Sequence, residues 1–535
     1  MSLFPDLAFF HLGLNAALLI VPMTLLVLAP FVLRRNLVSA AGNPLPPGPL
    51  FRYPVITKQP EYLFDRWAKA YGHLFSLWMG NKLFIVISDP QVARDLLVTQ
   101  GAIFSGRSPS MKNTTILQGR GITASGYDDK WYLHRRLANY TLSPKAIDSY
   151  AHVLDYEASV FVHTLYSDGK QGTVAINPMR HAGRYAFNNM LTISAGTRST
   201  SDPLYERTLD LAMDPEFMEL TGPLSNATDF LPFLRWLPNG KLSRGEKLHD
   251  RIVEIYGAVY TAIKERIEKG EGVPECLVRT LIETEEIEKL DWKDTCLLAA
   301  AFTMGGVHST SGILDWFLAL IPLYPEVQAR AQAELDRVIG RERWPNAIDE
   351  AQLPYIRAII KEVERMHAPF WIPAPHCATE DYDYNGMFIP KDSVVVLNCF
   401  TLHHNETRYP DPYKINPHNL ILPGRFKFNP DRYLGDDLTS EDSAKLLDAN
   451  ARDHWTFGAG RRICPGMAVA ERELFLAVSR ILWTFTVHEH PDEPIHLDAY
   501  RGNAARTPLA YRVRFEPRHD KVHTMLAEIG ETIAA

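Results

Sequence analysis

A mainly α-helical fold with small β-sheets is the class this sequence predicts, and three observations predict it. Of the 535 residues 46% are hydrophobic and 22% charged, the proportions of a chain with a large packed core. Apolar residues recur at helical spacing through most of the chain beyond residue 50, whereas strand-like alternation is confined to short stretches such as 83–88, 393–397 and 511–515. No Gly/Ser run, charge block or internal repeat divides these segments, so one large unit is as much to be expected as several. A net charge of −7 lacks the basic footprint of a nucleic-acid-binding protein, and nucleic acid is excluded as a partner. The five cysteines, Cys276, Cys296, Cys377, Cys399 and Cys464, are odd in number and form no CxxC pair. A disulfide framework and a thiolate zinc site are therefore both disfavoured.

Taken in order, the first element is an N-terminal membrane anchor over residues 1–35. Residues 7–33 contain no charge, a run longer than the roughly 20 residues a spanning helix needs. The competing assignment is a cleaved signal peptide with Val38-Ser39-Ala40 as its cleavage site, but the run exceeds the usual apolar region of such peptides. Arg34 and Arg35 follow it and only Asp6 precedes it, which places the rest of the chain in the cytoplasm. A proline-rich hinge over 36–49 comes next, containing Pro44-Leu45-Pro46-Pro47-Gly48-Pro49. It cannot continue a helix and is expected to hold the domain that follows, 50–535, at a fixed distance from the membrane. A second charge-free run, 296–314, carries Gly305, Gly306, His308, Ser309, Thr310 and Ser311 at its centre. Those groups suit a core helix facing a cavity better than a bilayer midplane.

The chemistry concentrates in Phe457-Gly458-Ala459-Gly460-Arg461-Arg462-Ile463-Cys464-Pro465-Gly466. One cysteine sits in a glycine-punctuated loop behind two arginines and ahead of an apolar helical run, conditions that favour a metal-binding thiolate. A buried cysteine acting as a small hydrophobe is the competing assignment.

The segment resembles the haem-binding signature Phe-x-x-Gly-x-Arg-x-Cys-x-Gly of the cytochrome P-450 family through Phe457, Gly460, Arg462, Cys464 and Gly466. The chain is identified as a member on that basis, and further motifs follow in order. Glu362-x-x-Arg365 and the Arg432 of Phe428-Asn429-Pro430-Asp431-Arg432 resemble the family's buried Glu/Arg/Arg triad, a structural device and not a catalytic one. Glu334-x-x-Arg337 has the same form and is expected to be a solvated helix face. Trp131 and Arg135 resemble the helical Trp-x-x-x-Arg that bonds haem propionates, and Arg107 and His376 match further propionate contacts; arginine suits that task because its planar fork pairs with carboxylates. Core or solvated positions are the competing assignment for each. The resemblance implies the cytochrome P-450 fold, haem b (iron protoporphyrin IX) as cofactor, and Cys464 as the iron ligand.

It also implies that Gly305, Gly306, His308, Ser309 and Thr310 face the distal side of the haem. His308 replaces the family's acid and Ser309 its threonine, so His308, Ser309 and Thr310 are the candidates for proton delivery. A core histidine bonded to a backbone carbonyl is the alternative for His308. The implied activity is monooxygenation of an apolar substrate, a secondary metabolite or xenobiotic, with O2 and with NADPH electrons from a cytochrome reductase. Motifs and hinge together resemble the microsomal, fungal-type members, implying a single-pass protein of the endoplasmic reticulum membrane. Substrate-facing residues are expected after Arg107 and within 213–225, 301–309, 368–372 and 504–508, with Phe370 and Trp371 suggesting a bulky ligand. A reductase-independent isomerase or dehydratase, and a non-catalytic haem or lipid carrier, remain the alternatives.

Overall fold

An aspartate starts the helix around which the molecule is built. The Asp291 side chain accepts from the Asp294 N–H, and Trp292–Leu320 then runs as one helix until Pro322 interrupts its pattern. The computed structural model describes residues 35–534 apart from 52, 54–59, 200–201, 238–239, 411–427 and 503–504. The anchor expected over 1–35 thus lies, Arg35 excepted, outside the described residues. By length and composition the central helix is apolar enough to cross a membrane, yet 67% of its most apolar window is buried. Its hydroxyls are satisfied inside the protein: Thr303 bonds back to Ala299 O at 3.2 Å, and Thr310 donates to Glu473 at 3.0 Å. It is a core helix, as the polar cluster at its centre suggests.

Met179–Ala195, Gly240–Glu268 and Met467–Thr484 pack around it. Gly306 lets the Met190 side chain lie against the helix, since a Cβ there would stand 2.4 Å from Met190 Cγ. To one side lies a four-stranded sheet in the order Leu74–Met79, Lys82–Ile87, Val394–Leu397, His376–Cys377. The first two strands form an antiparallel hairpin, and Phe84 pairs in parallel with Val394. The strand expected over 83–88 ends at Ile87 because Asp89 caps the following helix, its carboxylate accepting from Gln91 N and Val92 N. The strand expected over 511–515 runs instead from Val513 to Pro517, paired with Phe485–Glu489. Tyr511 is drawn into the core, where its hydroxyl donates to Asp315 O at 2.6 Å.

The proline-rich segment folds onto this sheet. Ser76 donates from its N–H to Pro47 O and from its hydroxyl to Pro46 O at 2.6 Å, and Phe388 N donates to Pro44 O. Residues 44–49 of the expected stiff hinge form part of the domain wall, because a proline run with unpaired carbonyls suits a sheet edge that has donors to spare. All five cysteines are free.

A candidate haem-thiolate site

The loop bearing Cys464 is fixed from three directions. At Gly460 φ is +66°, and a Cβ would stand 1.8 Å from Leu97 O, so only glycine fits. Cys464 N donates to Phe457 O at 2.9 Å, closing the loop on itself. Arg135 reaches across to donate to Ile463 O. Behind the loop, Arg365 pairs with Glu362 at 2.7 and 2.8 Å, both fully buried, and Arg432 lies 3.3 Å from the same carboxylate. Arg365 donates to His403 O at 2.8 Å, and the His403 ring in turn accepts from Trp455 N at 2.7 Å. The triad thereby reaches the strand of chain that leads into Phe457. Glu334, the expected solvated face, caps the Glu362 helix instead: its carboxylate accepts from Tyr355 N and Ile356 N at 3.1 and 3.2 Å.

Cys464 opens into a cavity of about 390 Å³ shared with Gly305, Gly306, Ser309 and Thr310 of the central helix. Burial raises its thiol pKa, while the Gly466 N–H and Arg135 oppose the rise. Burial thus outweighs the Gly466 N–H and Arg135, so the protein alone favours the thiol, and a bound metal ion would favour the thiolate.

Arg107, Trp131, Arg135, His376, Phe457, Arg462 and Gly466 line the same cavity, so the residues expected to bind the cofactor are brought together. Arg107 donates to Thr123 O, Ala374 O and Pro375 O at 2.7 to 3.1 Å. Arg462 donates to Ser105 O, Ile122 O, Ser125 O and Gly126 O at 2.9 to 3.2 Å and stacks 4.4 Å over Trp131. Burial, then Arg107 and Arg135, push Arg462 down to about 9; burial brings Arg107 down to about 10. His376 is neutral, held at about 3 by burial and Arg107, its Nδ1 2.6 Å from Phe104 O. Two observations fit a dianionic cofactor at this wall: guanidinium groups bonded only to neutral carbonyls, and the buried Trp131 Nε1–H with no acceptor among the described residues. Haem propionates satisfy both.

On the distal side the expected relay is rearranged. Ser309 faces the cavity with its hydroxyl bonded to Gly305 O at 2.9 Å. His308 is absent from the cavity lining: one helical step turns its ring onto Phe217, stacked at 6.0 Å and 8°, and burial lowers it to about 4. Its Nε2 is buried with no partner among the described residues. Thr310 instead donates to Glu473 Oε2 at 3.0 Å, and burial pushes that carboxyl up to about 8. Sequence reasoning missed Glu473, although Val469, Glu473, Leu476 and Ala477 follow helical spacing on one face and mark it as an acid inside an apolar stripe. Phe370 lines the cavity, but Trp371 turns into the core against Phe64. Residues 505–508 contribute nothing to the lining, because Arg506 is drawn into an ion pair with Glu61; 504 lies outside the described residues.

Residues 44–515 match the family model described as Cytochrome P450. This chain belongs to the cytochrome P450 family. It is a haem-iron oxidoreductase of the monooxygenase kind, a class that works with O2, an organic substrate and a redox partner. Among similar proteins is cytochrome P450 monooxygenase verL of Clonostachys rogersoniana, 32% identical over 86% of this chain and 83% of that one. Cytochrome P450 monooxygenase polD of Polytolypa hystricis is 29% identical over 95% and 98%, and virE of Hypocrea virens 30% over 94% and 91%.

Proposed function

We propose that this cytochrome P450 inserts one oxygen atom of O2 into a largely apolar organic molecule of fungal-type secondary metabolism, with NADPH electrons passed on by a membrane-bound cytochrome reductase. The observation that carries this proposal is one cavity lined by Cys464 and by the hydrogen-bonded Thr310–Glu473 pair. Bound through Cys464, haem b supplies the O–O cleavage that a thiolate ligand promotes.

The chain's own residues do the rest. Arg107, Arg135, Arg462 and Trp131 hold the propionates and so set the orientation of the ring. Gly305, where a Cβ would meet nothing within 4 Å, leaves open space beside the central helix. Phe217, Met218, Ile313 and Phe370 bring apolar surface to the cavity, which excludes water and favours an apolar substrate. Glu473, protonated at neutral pH, is the proton source: when its carboxyl O–H donates to the Thr310 oxygen, reversing the bond between them, the Thr310 O–H is freed to pass a proton toward the cavity, and Glu473 is left ionised until it is reprotonated. This pair replaces the His308 expected from sequence. A single-pass anchor at residues 1–35 in the endoplasmic reticulum membrane, with domain 50–535 in the cytoplasm, is part of the same proposal. It rests on the charge pattern of the N-terminus, and the exposed Phe233, Trp236 and Leu237 offer apolar surface for a bilayer.

The test is turnover under 18O2 with NADPH and reductase, using a compound that shifts the haem spectrum. One labelled atom should enter the product. Turnover without NADPH, or product free of label, would favour an isomerase or dehydratase, and spectral binding without any turnover a carrier.

A further inference from the structure

Two cations of the cavity wall, Lys82 and Lys112, lie outside the cofactor site, and one of them is without a partner among the described residues. Lys82, Arg107, Lys112, Arg135 and Arg462 are the basic residues lining the cavity. Lys82 donates to Ser108 Oγ at 3.0 Å and to Pro109 O, and Arg107, Arg135 and Arg462 donate to the carbonyls described above. Lys112 has no hydrogen bond or ion pair among the described residues. Each carboxylate in the lining is already engaged: Asp229 accepts from Met111 N at 2.8 Å, Glu364 lies 3.1 Å from His454, and Glu473 accepts from Thr310.

Lys112 belongs to the turn Met111–Ile116, which Ser110 caps by accepting from Asn113 N. That turn is braced on the long helix Gly240–Glu268, where Ile116 O lies 2.8 Å from His249 Nδ1 and a Cβ at Gly245 would meet Met111 Sδ at 2.9 Å. The ammonium is therefore presented from a packed support on the side of the cavity formed with Phe217 and Ile252.

We infer that Lys112 anchors a carboxylate of the substrate, so that the cavity takes apolar molecules bearing one acid group. This deepens the proposed function, because it rests on the cavity being the substrate chamber. Lys112 is half-buried, and an ammonium that lines an apolar cavity without a partner loses part of its hydration, which an anion delivered by the ligand replaces at that point. Burial and the neighbouring Arg107 lower Lys112 to about 8, so it still carries its proton at pH 7. Arg107 adds positive potential and no competing acceptor.

The test is calorimetric titration of the haem-loaded full chain with matched pairs, dodecanoate with dodecanol and 2-naphthoate with 2-naphthylmethanol. The acid of at least one pair should bind about 10-fold or more tighter than its alcohol, the range of a charge-assisted hydrogen bond. Lys112→Met should abolish that preference while leaving the alcohol unchanged, and Lys112→Arg should keep it. Equal binding of acid and alcohol in both pairs would overturn the inference, as would a preference that survives Lys112→Met. A Lys112→Met protein that loses haem, from a wild type indifferent to the acid group, would assign the ammonium to the cofactor. Titration needs no reductase, so a chain that binds acids through Lys112 but never turns over fails only as a monooxygenase. One that oxidises only neutral compounds fails only here.

Discussion

At the scale of single residues, Glu473 is the acid proposed to deliver protons, and its environment dictates how activity should depend on pH. Its pKa is raised, so the acid is protonated below about 8 and loses its proton above. Product formed per NADPH should hold from about pH 6 to 7.5 and fall past pH 8. Glu473→Gln should keep haem and substrate binding, lower that ratio by about 10-fold or more, release peroxide, and show no such fall. His308→Ala should leave coupling unchanged, because the His308 ring lies outside the cavity lining. A large loss of coupling in His308→Ala beside a normal Glu473→Gln would reverse the assignment. That Trp131, Arg135, Arg462 and Cys464 line one cavity was legible in sequence because they keep fixed spacings within short segments. The Thr310–Glu473 bond was not, because the two residues are 163 positions apart and meet only through helix packing.

Among elements, the loop of Cys464 and the Glu362 helix behave as one unit, and their failure should appear as loss of haem and not as altered selectivity. Glu362→Ala leaves Arg365 buried without its carboxylate, a change that costs about 3 to 5 kcal/mol; little holoprotein should be recovered, measured as haem per polypeptide. Gly460→Ala must relieve a Cβ held 1.8 Å from Leu97 O at positive φ, and the same loss is expected. Normal haem content in either variant would mean that the loop is not held as described. Element types were readable from hydrophobic period, and errors arose at ends governed by side chains elsewhere. Tyr511 leaves its strand for Asp315, and the hinge carbonyls find Ser76 and Phe388.

Over the whole molecule, buried neutral histidines set the response to acid. His134 and His308 are held at about 4 and His376 at about 3, chiefly by burial. Folded pKa values depressed below the unfolded value of about 6.5 mean that the unfolded chain binds more protons as pH falls, so stability is present above pH 6.5 and lost below it. Each such group removes about 1.4 kcal/mol per pH unit. His454, whose pKa Asp453 and Glu364 raise against the effect of burial, works in the opposite sense. Thermal unfolding midpoints should therefore fall steeply between about pH 6.5 and 4; a flat profile would show that these rings are not buried neutral. Deletion of residues 1–34 should yield a domain that keeps its haem and couples poorly to a membrane reductase. The most direct measurement is the spectrum of the reduced protein under carbon monoxide. Wild type should show the red-shifted Soret band of thiolate-ligated haem and Cys464→Ser should lack it, whereas a variant that retains that band would contradict Cys464 as the ligand.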